Sequence, residues 1–155
     1  MHLDRGKIAV LSMFALAIGA ATFAWFWNYR RGERCLAFYG SEAATLIRTA
    51  PRVEILEVDP ADSLTIARRI DISHAPGLLN ARAALLDDAS FQWNVQPRPS
   101  TTKPTRLLCF ANSDREVRLR LNREDQSLEI LLDGNSAVLD AKTSAGWQQF
   151  LDRYK

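Results

Sequence analysis

The fold is decided by the segment 106–139, which reads RLLCFANSDREVRLRLNREDQSLEILLDGNSAVL. Inside it, residues 116–122 alternate between apolar and charged side chains, and this period of two predicts a β-strand with one buried and one solvated face. The buried face takes Val117, Leu119 and Leu121, and the solvated face takes Arg118 and Arg120. The alternation therefore predicts a sheet that packs on one side only.

Three further strands are predicted in the same segment. Residues 106–111 form a mostly apolar run, residues 128–133 form another, and an Asp-Gly-Asn turn signal at 133–135 leads into a short strand at 137–139. The links between these strands have the length of hairpin loops, so strands that are neighbours in sequence should also be neighbours in an antiparallel sheet.

Two helices and a hairpin are predicted ahead of this segment, and one helix after it. Ser41 is an N-cap candidate and Pro51 is a stop signal, so a short helix is expected between them. The C-terminal helix carries apolar residues at i, i+3, i+4 and i+7, which should pack on the dry face of the sheet. These elements are helix 41–48, strands 52–59 and 64–72 joined by a turn at Asp62-Ser63, helix 77–88, and a last helix bearing Trp147, Phe150, Leu151 and Tyr154.

The element order α-β-β-α-β-β-β-β-α predicts the α+β class. We expect an antiparallel sheet of about five or six strands, covered on one face by about three helices. This soluble domain is placed at residues 40–155, after an N-terminal tail at 1–7, an apolar segment at 8–27 and a juxtamembrane connector at 28–39.

The apolar segment 8–27, IAVLSMFALAIGAATFAWFW, predicts a single N-terminal transmembrane helix. It contains no charged residue and no Asn, Gln, His or Pro. At 1.5 Å per residue its length matches the hydrocarbon core of a bilayer, about 30 Å. A helix buried in a soluble protein usually keeps a polar face, and this segment has none.

A cleaved signal peptide is the competing interpretation of the same segment. Gly19-Ala20-Ala21 resembles a cleavage site, and Arg5 with Lys7 resembles a basic n-region. However, the apolar run continues past that site and is longer than the usual h-region of about 7–15 residues. We therefore expect an uncleaved membrane anchor.

Aromatic and basic residues mark the C-terminal boundary of the predicted span. Trp and Tyr are enriched at membrane interfaces, and arginines oppose further insertion. The predicted interface anchors are Trp25, Trp27, Tyr29, Arg30, Arg31 and Arg34. Basic residues after the span outnumber those before it, Arg5 and Lys7, by one. The positive-inside rule therefore favours a single-pass protein whose domain faces the cytoplasm, by that margin only.

Small residues recur four apart along the span. Such spacing lets two helix backbones approach closely, so that dispersion contacts between helices replace contacts with lipid. The predicted helix-packing face comprises Ala15, Ala17, Gly19, Ala20, Ala21 and Ala24. The predicted partners are membrane lipid and other transmembrane subunits. Ala and Gly are also ordinary filler in membrane helices, which is the alternative interpretation.

Residues suited to catalysis are few. His74 is the only histidine outside the N-terminal tail, and a surface or capping role is expected for it. Asp87 and Asp88 are neighbours near a helix end and point about 100° apart, so they are interpreted as helix-end charges and not as a catalytic pair. Cys35 and Cys109 fit no metal spacing, and the sequence leaves open whether they form a disulfide. Palmitoylation of Cys35 is a further hypothesis.

Motifs that bind nucleotides or activate nucleophiles are absent from the sequence. There is no Gly-rich phosphate loop, Gly-x-Ser-x-Gly, Cys-x-x-Cys or His-Glu-x-x-His. The net charge is only +2, and basic residues are interspersed with acidic ones, which argues against a nucleic-acid partner. We expect no enzymatic activity, no cofactor and no metal site.

A proline-rich stretch at 94–104 offers a possible docking surface. Extended proline-rich segments lose less entropy when they bind a partner. The candidate docking residues are Phe91, Trp93, Pro97 and Pro99. The alternative is that the two aromatic rings fill the core and the loop simply crosses the surface.

Three functional hypotheses remain. The leading one is a non-catalytic, single-pass, membrane-anchored accessory or structural subunit of a larger membrane protein complex. The second is a stand-alone membrane-tethered domain that binds and senses a ligand or peptide. The third is an enzyme of unfamiliar type built around His74.

Overall fold

The computed structural model describes residues 5–30, 32–59, 65–97, 106–131 and 134–154; in the first helix it describes the side chains of residue 8 and residues 10–26 only. The helices are α1 (Arg5–Arg30), α2 (Glu33–Thr49), α3 (Leu78–Leu85) and α4 (Ala141–Asp152), with a short 3₁₀ helix at Asp88–Ser90. The strands are β1 (Arg52–Val58), β2 (Ile66–Asp71), β3 (Arg106–Ala111), β4 (Glu116–Leu121), β5 (Ser127–Ile130) and β6 (Ser136–Val138).

The described strands form one six-stranded sheet in the order β2-β1-β3-β4-β5-β6. Every neighbouring pair is antiparallel. The α+β class and the antiparallel sheet predicted from the sequence are therefore confirmed. Each of the pairs β1–β2, β3–β4, β4–β5 and β5–β6 joins strands that follow one another in the chain, as hairpin-length links require.

The main core lies on one face of this sheet. In β4 the buried side chains are Val117 and Leu119, which face the helices, while Arg118 and Arg120 lie on the other face, as the alternation predicted. The helices α2, α3 and α4 cover the apolar face. Their buried contributions to the core are Cys35, Tyr39, Ala44, Leu46, Ile47, Leu78, Leu85, Trp147 and Phe150.

The opposite face of the sheet is polar with a small apolar centre. Leu56, Val58, Leu107, Cys109 and Ala111 form a separate buried cluster there. Charged side chains on this face pair across strands or along one strand, namely Arg69 with Glu54 at 3.1 Å, Arg120 with Glu129 at 3.4 Å, and Arg118 with Glu116. Cross-strand pairs of opposite charge stabilise a sheet modestly and keep its solvated face free of like-charge repulsion.

The C-terminal helix α4 forms where its sequence pattern predicts. The Asp140 carboxylate caps it by accepting hydrogen bonds from the N–H groups of Lys142 and Thr143, at 3.2 and 3.0 Å. Of the predicted apolar stripe, Trp147 and Phe150 are buried in the core, and Leu151 and Tyr154 pack against it partly buried. A cap and a buried stripe together define where this helix begins and which side it buries.

Helix α2 begins earlier than the sequence pattern indicates. It starts at Glu33 and contains a break at Gly40, whose φ of 76° and ψ of 161° are not helical. The half after Gly40 corresponds to the helix predicted at 41–48. The half before it lies in the segment predicted as a connector, and it carries Cys35 and Tyr39 into the core. Glycine tolerates the positive φ that the break requires.

Some predicted turns and loops fall outside the described residues. These are the turn at Asp62-Ser63, residue Asp133 of the Asp-Gly-Asn turn, and most of the loop at 94–104. Gly134, the next residue of that turn, has a φ of 66°, which is the left-handed conformation expected of glycine there.

In the part of the chain that the structure describes, no helix is both long enough and apolar enough to cross a membrane. Two members of the apolar segment 8–27, Ala9 and Trp27, have side chains that are not described. The transmembrane prediction remains a prediction.

Candidate functional site

The surface of α1 is apolar and open along its described length. Ten large apolar side chains between Ile8 and Phe26 are 47–74% exposed, and none of them belongs to the core clusters of the domain. The two hydroxyls in the same stretch are satisfied within the helix, since Ser12 and Thr22 donate to the carbonyls of Ile8 and Ile18, each at 2.8 Å. The helix therefore presents few polar groups and much apolar area.

The small residues predicted as a packing face lie on two sides of α1. At 100° per residue, Ala15 and Gly19 share one side, whereas the remaining four are centred on the roughly opposite side. These four are Ala17, Ala20, Ala21 and Ala24. All six are exposed, and a Cβ added at Gly19 would meet no atom within 4 Å. The helix thus has two faces of small residues, whereas the sequence analysis predicted a single packing face.

The predicted interface anchors are only partly described. Trp25 lies on α1 and is exposed, and Arg34 lies in the first turn of α2 and is also exposed. Side chains of the other four, Trp27, Tyr29, Arg30 and Arg31, lie outside the described residues.

The N-terminus of α2, next to α1, is held by Asp88. This carboxylate accepts hydrogen bonds from the backbone N–H groups of Arg34, at 3.1 Å, and Cys35, at 2.8 Å. An acidic group at a helix N-terminus satisfies orphaned donors and stabilises the helix dipole. Gly32, just before α2, lies so close to Leu86 that an added Cβ would be 3.2 Å from its carbonyl oxygen. Gly32 and the first turn of α2 are therefore fixed against the end of α3.

The C-terminus of α2 is held by Arg82 of α3. Its guanidinium donates to the carbonyl oxygens of Arg48, at 3.2 Å, and Ala50, at 2.8 Å, and lies over the ring of Phe110. Burial lowers the pKa of the Arg82 guanidinium. A cation at a helix C-terminus satisfies free carbonyl groups and opposes the negative end of the dipole. Both ends of α2 are thus fixed by residues of the α3 region.

A cleft of about 640 Å³ lies between α2 and α3. Its lining is mixed: Glu33 and Asp87 lie at the end near α1, Arg48 and Arg82 lie at the other, and Leu36 and Leu79 present exposed apolar side chains. We call Asp88, which caps the start of α2, and Arg82, which binds the carbonyl groups at its end, the two clamps. Because Asp88 follows α3 in the chain and Arg82 lies within it, α2 and α3 run in opposite directions. This volume falls within the range of small-molecule pockets, about 300–1,000 Å³.

Both cysteines are buried free thiols. Burial, reinforced by a hydrogen bond to Asp88, raises the pKa of Cys35 far above its usual value. Burial also raises the pKa of Cys109 to about 11, with Glu116 contributing. A protonated, inaccessible thiol is a poor nucleophile, so neither cysteine is placed for modification in this conformation.

The aromatic docking candidates belong to a buried cluster. Phe91 is buried in the core, and Trp93 packs against it partly buried, with its ring centroid 4.9 Å from that of Phe91. The indole N–H of Trp93 donates to the carbonyl of Asp88 at 2.9 Å. Pro97 is half-buried, and Pro99 lies outside the described residues. The rings thus serve the core, which is the alternative considered from the sequence.

His74 lies exposed in the turn after β2. Its neighbour Ser73 has a structural role, since its hydroxyl donates to Asp71 at 2.6 Å and accepts the N–H of Val53 at 2.9 Å. The hydrogen bonds that the hydroxyl and the backbone N–H of Ser73 donate to the Asp71 carboxylate lower the pKa of Asp71. Among the described residues, no group of three His, Cys, Asp or Glu side chains is arranged to hold a metal ion.

The two clamps were not found from the sequence, although one signal pointed to each. Asp88 was interpreted as a helix-end charge, but the helix that it caps is α2, which is 53 residues away in the chain. Arg82 is the charged residue in a helical stripe whose other members are Leu78, Leu79, Leu85 and Leu86. A polar residue in an apolar stripe signals a buried hydrogen-bond partner, but the sequence does not name that partner.

Comparison with known proteins supplies no relative from which a site could be transferred. The candidate site is therefore defined by what the fold itself brings together, which is the open apolar surface of α1 and the α2–α3 cleft joined to it. The chain matches no family model, no curated protein and no solved structure.

Proposed function

We propose that this chain is a non-catalytic accessory subunit of a larger membrane protein complex, anchored by α1 as a single span. The observation that carries the proposal is the surface of α1, whose large apolar side chains are 47–74% exposed. Such a surface is unfavourable in water and requires lipid or protein around it. The uncharged run at 8–27 has the length that lipid would demand.

The joint between α1 and the domain further supports a structural role. Helix α1 ends at Arg30 and α2 starts at Glu33, so almost no linker separates them. Asp88 caps α2 at this point, so the first turn of α2, which follows α1 closely in the chain, is fixed to the rest of the domain. A short, fastened joint suits a subunit that braces its neighbours near a membrane surface, and suits less well a domain that searches for distant partners.

Alkaline carbonate extraction of membranes that contain the full chain tests the anchor. We expect the wild-type protein to remain in the pellet and the double variant Leu16→Arg/Ile18→Arg to be lost from it. Each arginine near the centre of a span costs about 2.5–3.5 kcal/mol on the insertion scale. The matched control is Val95→Arg/Leu131→Arg, which places the same charges on exposed apolar positions of the domain.

Two results would contradict the anchor. One is extraction of the wild-type chain by carbonate, and the other is an intact mass that shows a mature N-terminus near Thr22. The complex is tested separately by sizing the protein in mild detergent. A monodisperse 17.4 kDa monomer without any co-purifying protein would contradict the accessory role while leaving the anchor standing.

The α2–α3 cleft favours a second candidate function, a membrane-tethered domain that binds a small ligand. The cleft has the volume of a ligand pocket and contains charged groups of both signs. A ligand that bound only the folded state would raise the melting temperature of the domain as its concentration rose. We place this candidate second because Arg82 is already engaged by two backbone carbonyls.

A further inference from the structure

Two exposed leucines mark one surface of the domain. Outside α1, the described residues include four large apolar side chains that are exposed, namely Leu36, Leu79, Val95 and Leu131. Leu36 is 50% exposed and Leu79 is 80% exposed, and both line the α2–α3 cleft. The two most exposed of these four side chains therefore lie on the α2–α3 face.

This face continues directly from α1. Gly32 and Glu33, which follow the end of α1, line the cleft at one end, and Leu36 lies one turn further along α2. The Asp88 cap and the tight approach of Gly32 to Leu86 fix these residues against α3. Of the domain's surfaces, the α2–α3 face is thus the one that follows the end of α1 in the chain.

The charges on this face are of both signs and lie at opposite ends of the cleft. The Arg82 guanidinium donates hydrogen bonds to the backbone carbonyl groups of Arg48 and Ala50. Of the two arginines that line the cleft, the exposed side chain of Arg48 is therefore the one that can reach a phosphate. Glu33 and Asp87 lie at the other end of the cleft, so a phosphate group is favoured only at the end that Arg48 lines. In helices that lie at a membrane surface, apolar side chains enter the boundary between head groups and acyl chains while basic side chains stay beside the phosphates.

We propose that the α2–α3 face rests on the membrane surface, with Leu36 and Leu79 inserted at the level of the lipid head groups and Arg48 beside the phosphates. The occupant of this face is the bilayer in which α1 is anchored. The inference rests on the proposed function, since it requires α1 to lie in the same bilayer.

Fluorescent labels placed on single cysteines test the proposal in the full chain. The protein is reconstituted into nanodiscs of phosphatidylcholine with one quarter phosphatidylglycerol, and Leu36→Cys and Leu79→Cys are each labelled with an environment-sensitive dye. The matched controls are Val95→Cys and Leu131→Cys, which are the other two exposed apolar positions. Because Cys35 and Cys109 are buried, the dye reacts with the introduced thiol.

We expect dyes at positions 36 and 79 to emit at shorter wavelength in nanodiscs than in detergent, and to lose fluorescence when head-group nitroxide lipids are included. Dyes at 95 and 131 should show neither change. A wavelength shift at 36 and 79 without nitroxide quenching would indicate contact with a second copy of the chain and would overturn the proposal. Equal behaviour at all four positions would overturn it as well.

A label on α1 separates this inference from the proposed function. Leu16→Cys carries the dye in the middle of the predicted span, and nitroxides attached deep in the acyl chains report its insertion. Quenching at position 16 without quenching at 36 and 79 would leave the anchor standing and reject the α2–α3 contact. Absence of quenching at all three positions would reject both.

Discussion

The helix α1 and the α+β domain differ in the solvent exposure of their apolar side chains. In the domain, Phe110, Ile47 and Leu119 are fully buried between the sheet and its helices. In α1, residues of the same kinds, such as Phe14, Ile18 and Leu16, are more than 60% exposed. The difference teaches that the domain buries its apolar residues internally, whereas those of α1 remain exposed, and we propose that lipid or partner helices cover them.

The size of this difference can be judged by its energy. Fully burying a large apolar side chain is worth about 1.5–3 kcal/mol. For the ten exposed side chains of α1, incomplete burial leaves a gain on the order of 10 kcal/mol to be realised by surroundings. That is comparable to the whole stability of a typical domain, about 5–15 kcal/mol. Lipid or partner helices around α1 would therefore contribute as much as the domain's own folding.

The comparison is tested most strongly by the same substitution, phenylalanine to alanine, in each of the two regions. Phe110→Ala should lower the free energy of unfolding of the domain by about 3–5 kcal/mol, because it opens a cavity beneath Arg82 and removes a fully buried ring. Phe14→Ala should leave the domain's unfolding unchanged. Denaturant titration of both variants in the same detergent measures this. A comparable loss for Phe14→Ala would show that α1 packs on the domain.

The next largest expected effect on stability comes from the Asp88 cap at the start of α2. Asp88→Ala should destabilise the domain by about 1–3 kcal/mol, because two backbone N–H groups lose their acceptor at a helix N-terminus. Hydrogen exchange of the Arg34 and Cys35 amides should accelerate more than that of amides in α4. Asp114→Ala, which removes an exposed carboxylate from a turn, serves as control. Unchanged exchange at both amides would contradict the cap.

The smallest expected effect concerns the cap of α4 and its dependence on pH. Hydrogen bonds from Thr143 and Lys142 lower the pKa of Asp140, so the folded state favours the carboxylate. The resulting stability is fully present above the unfolded pKa, about 3.9, and is lost as the pH falls through the folded value. Asp140→Ala should cost about 1 kcal/mol at neutral pH.

Melting temperatures of the wild type and Asp140→Ala, recorded from pH 7 to pH 2, measure this difference. The gap between the two proteins should narrow as the pH drops below about 4. A gap that stays constant down to the lowest pH would show that the ionised cap does not contribute.

Local patterns were sufficient for most of the secondary structure. The alternation around Arg118 and Arg120 predicted both the strand and its solvated face, and the stripe that contains Trp147 and Phe150 predicted the buried side of α4. These predictions succeeded because a period of two or of 3.6 residues is set by backbone geometry alone. Hairpin-length links predicted four of the five strand pairs. The fifth pair, β1 with β3, was not predicted, because a long connection separates these two strands in the chain.

The first half of α2 shows where local patterns fail. The segment ahead of Ser41 was interpreted as a connector, because the capping signal at Ser41 and the glycine before it mark a helix start. The helix continues upstream because Asp88, distant in sequence, supplies the cap, and because Cys35 and Tyr39 find room in the core. In the same way, the sequence could not show whether Phe91 and Trp93 are exposed for docking or packed in the core, because that depends on the space the folded core leaves for their rings.

The sequence by itself determined most of the elements, their class and the apolar character of α1, because hydrophobic periodicity and turn residues act over a few positions. Only the tertiary structure decided which residues hold the joint. The hydrogen bonds of Asp88 and Arg82 to the two ends of α2 join positions more than thirty residues apart, and their geometry exists only after the chain has folded.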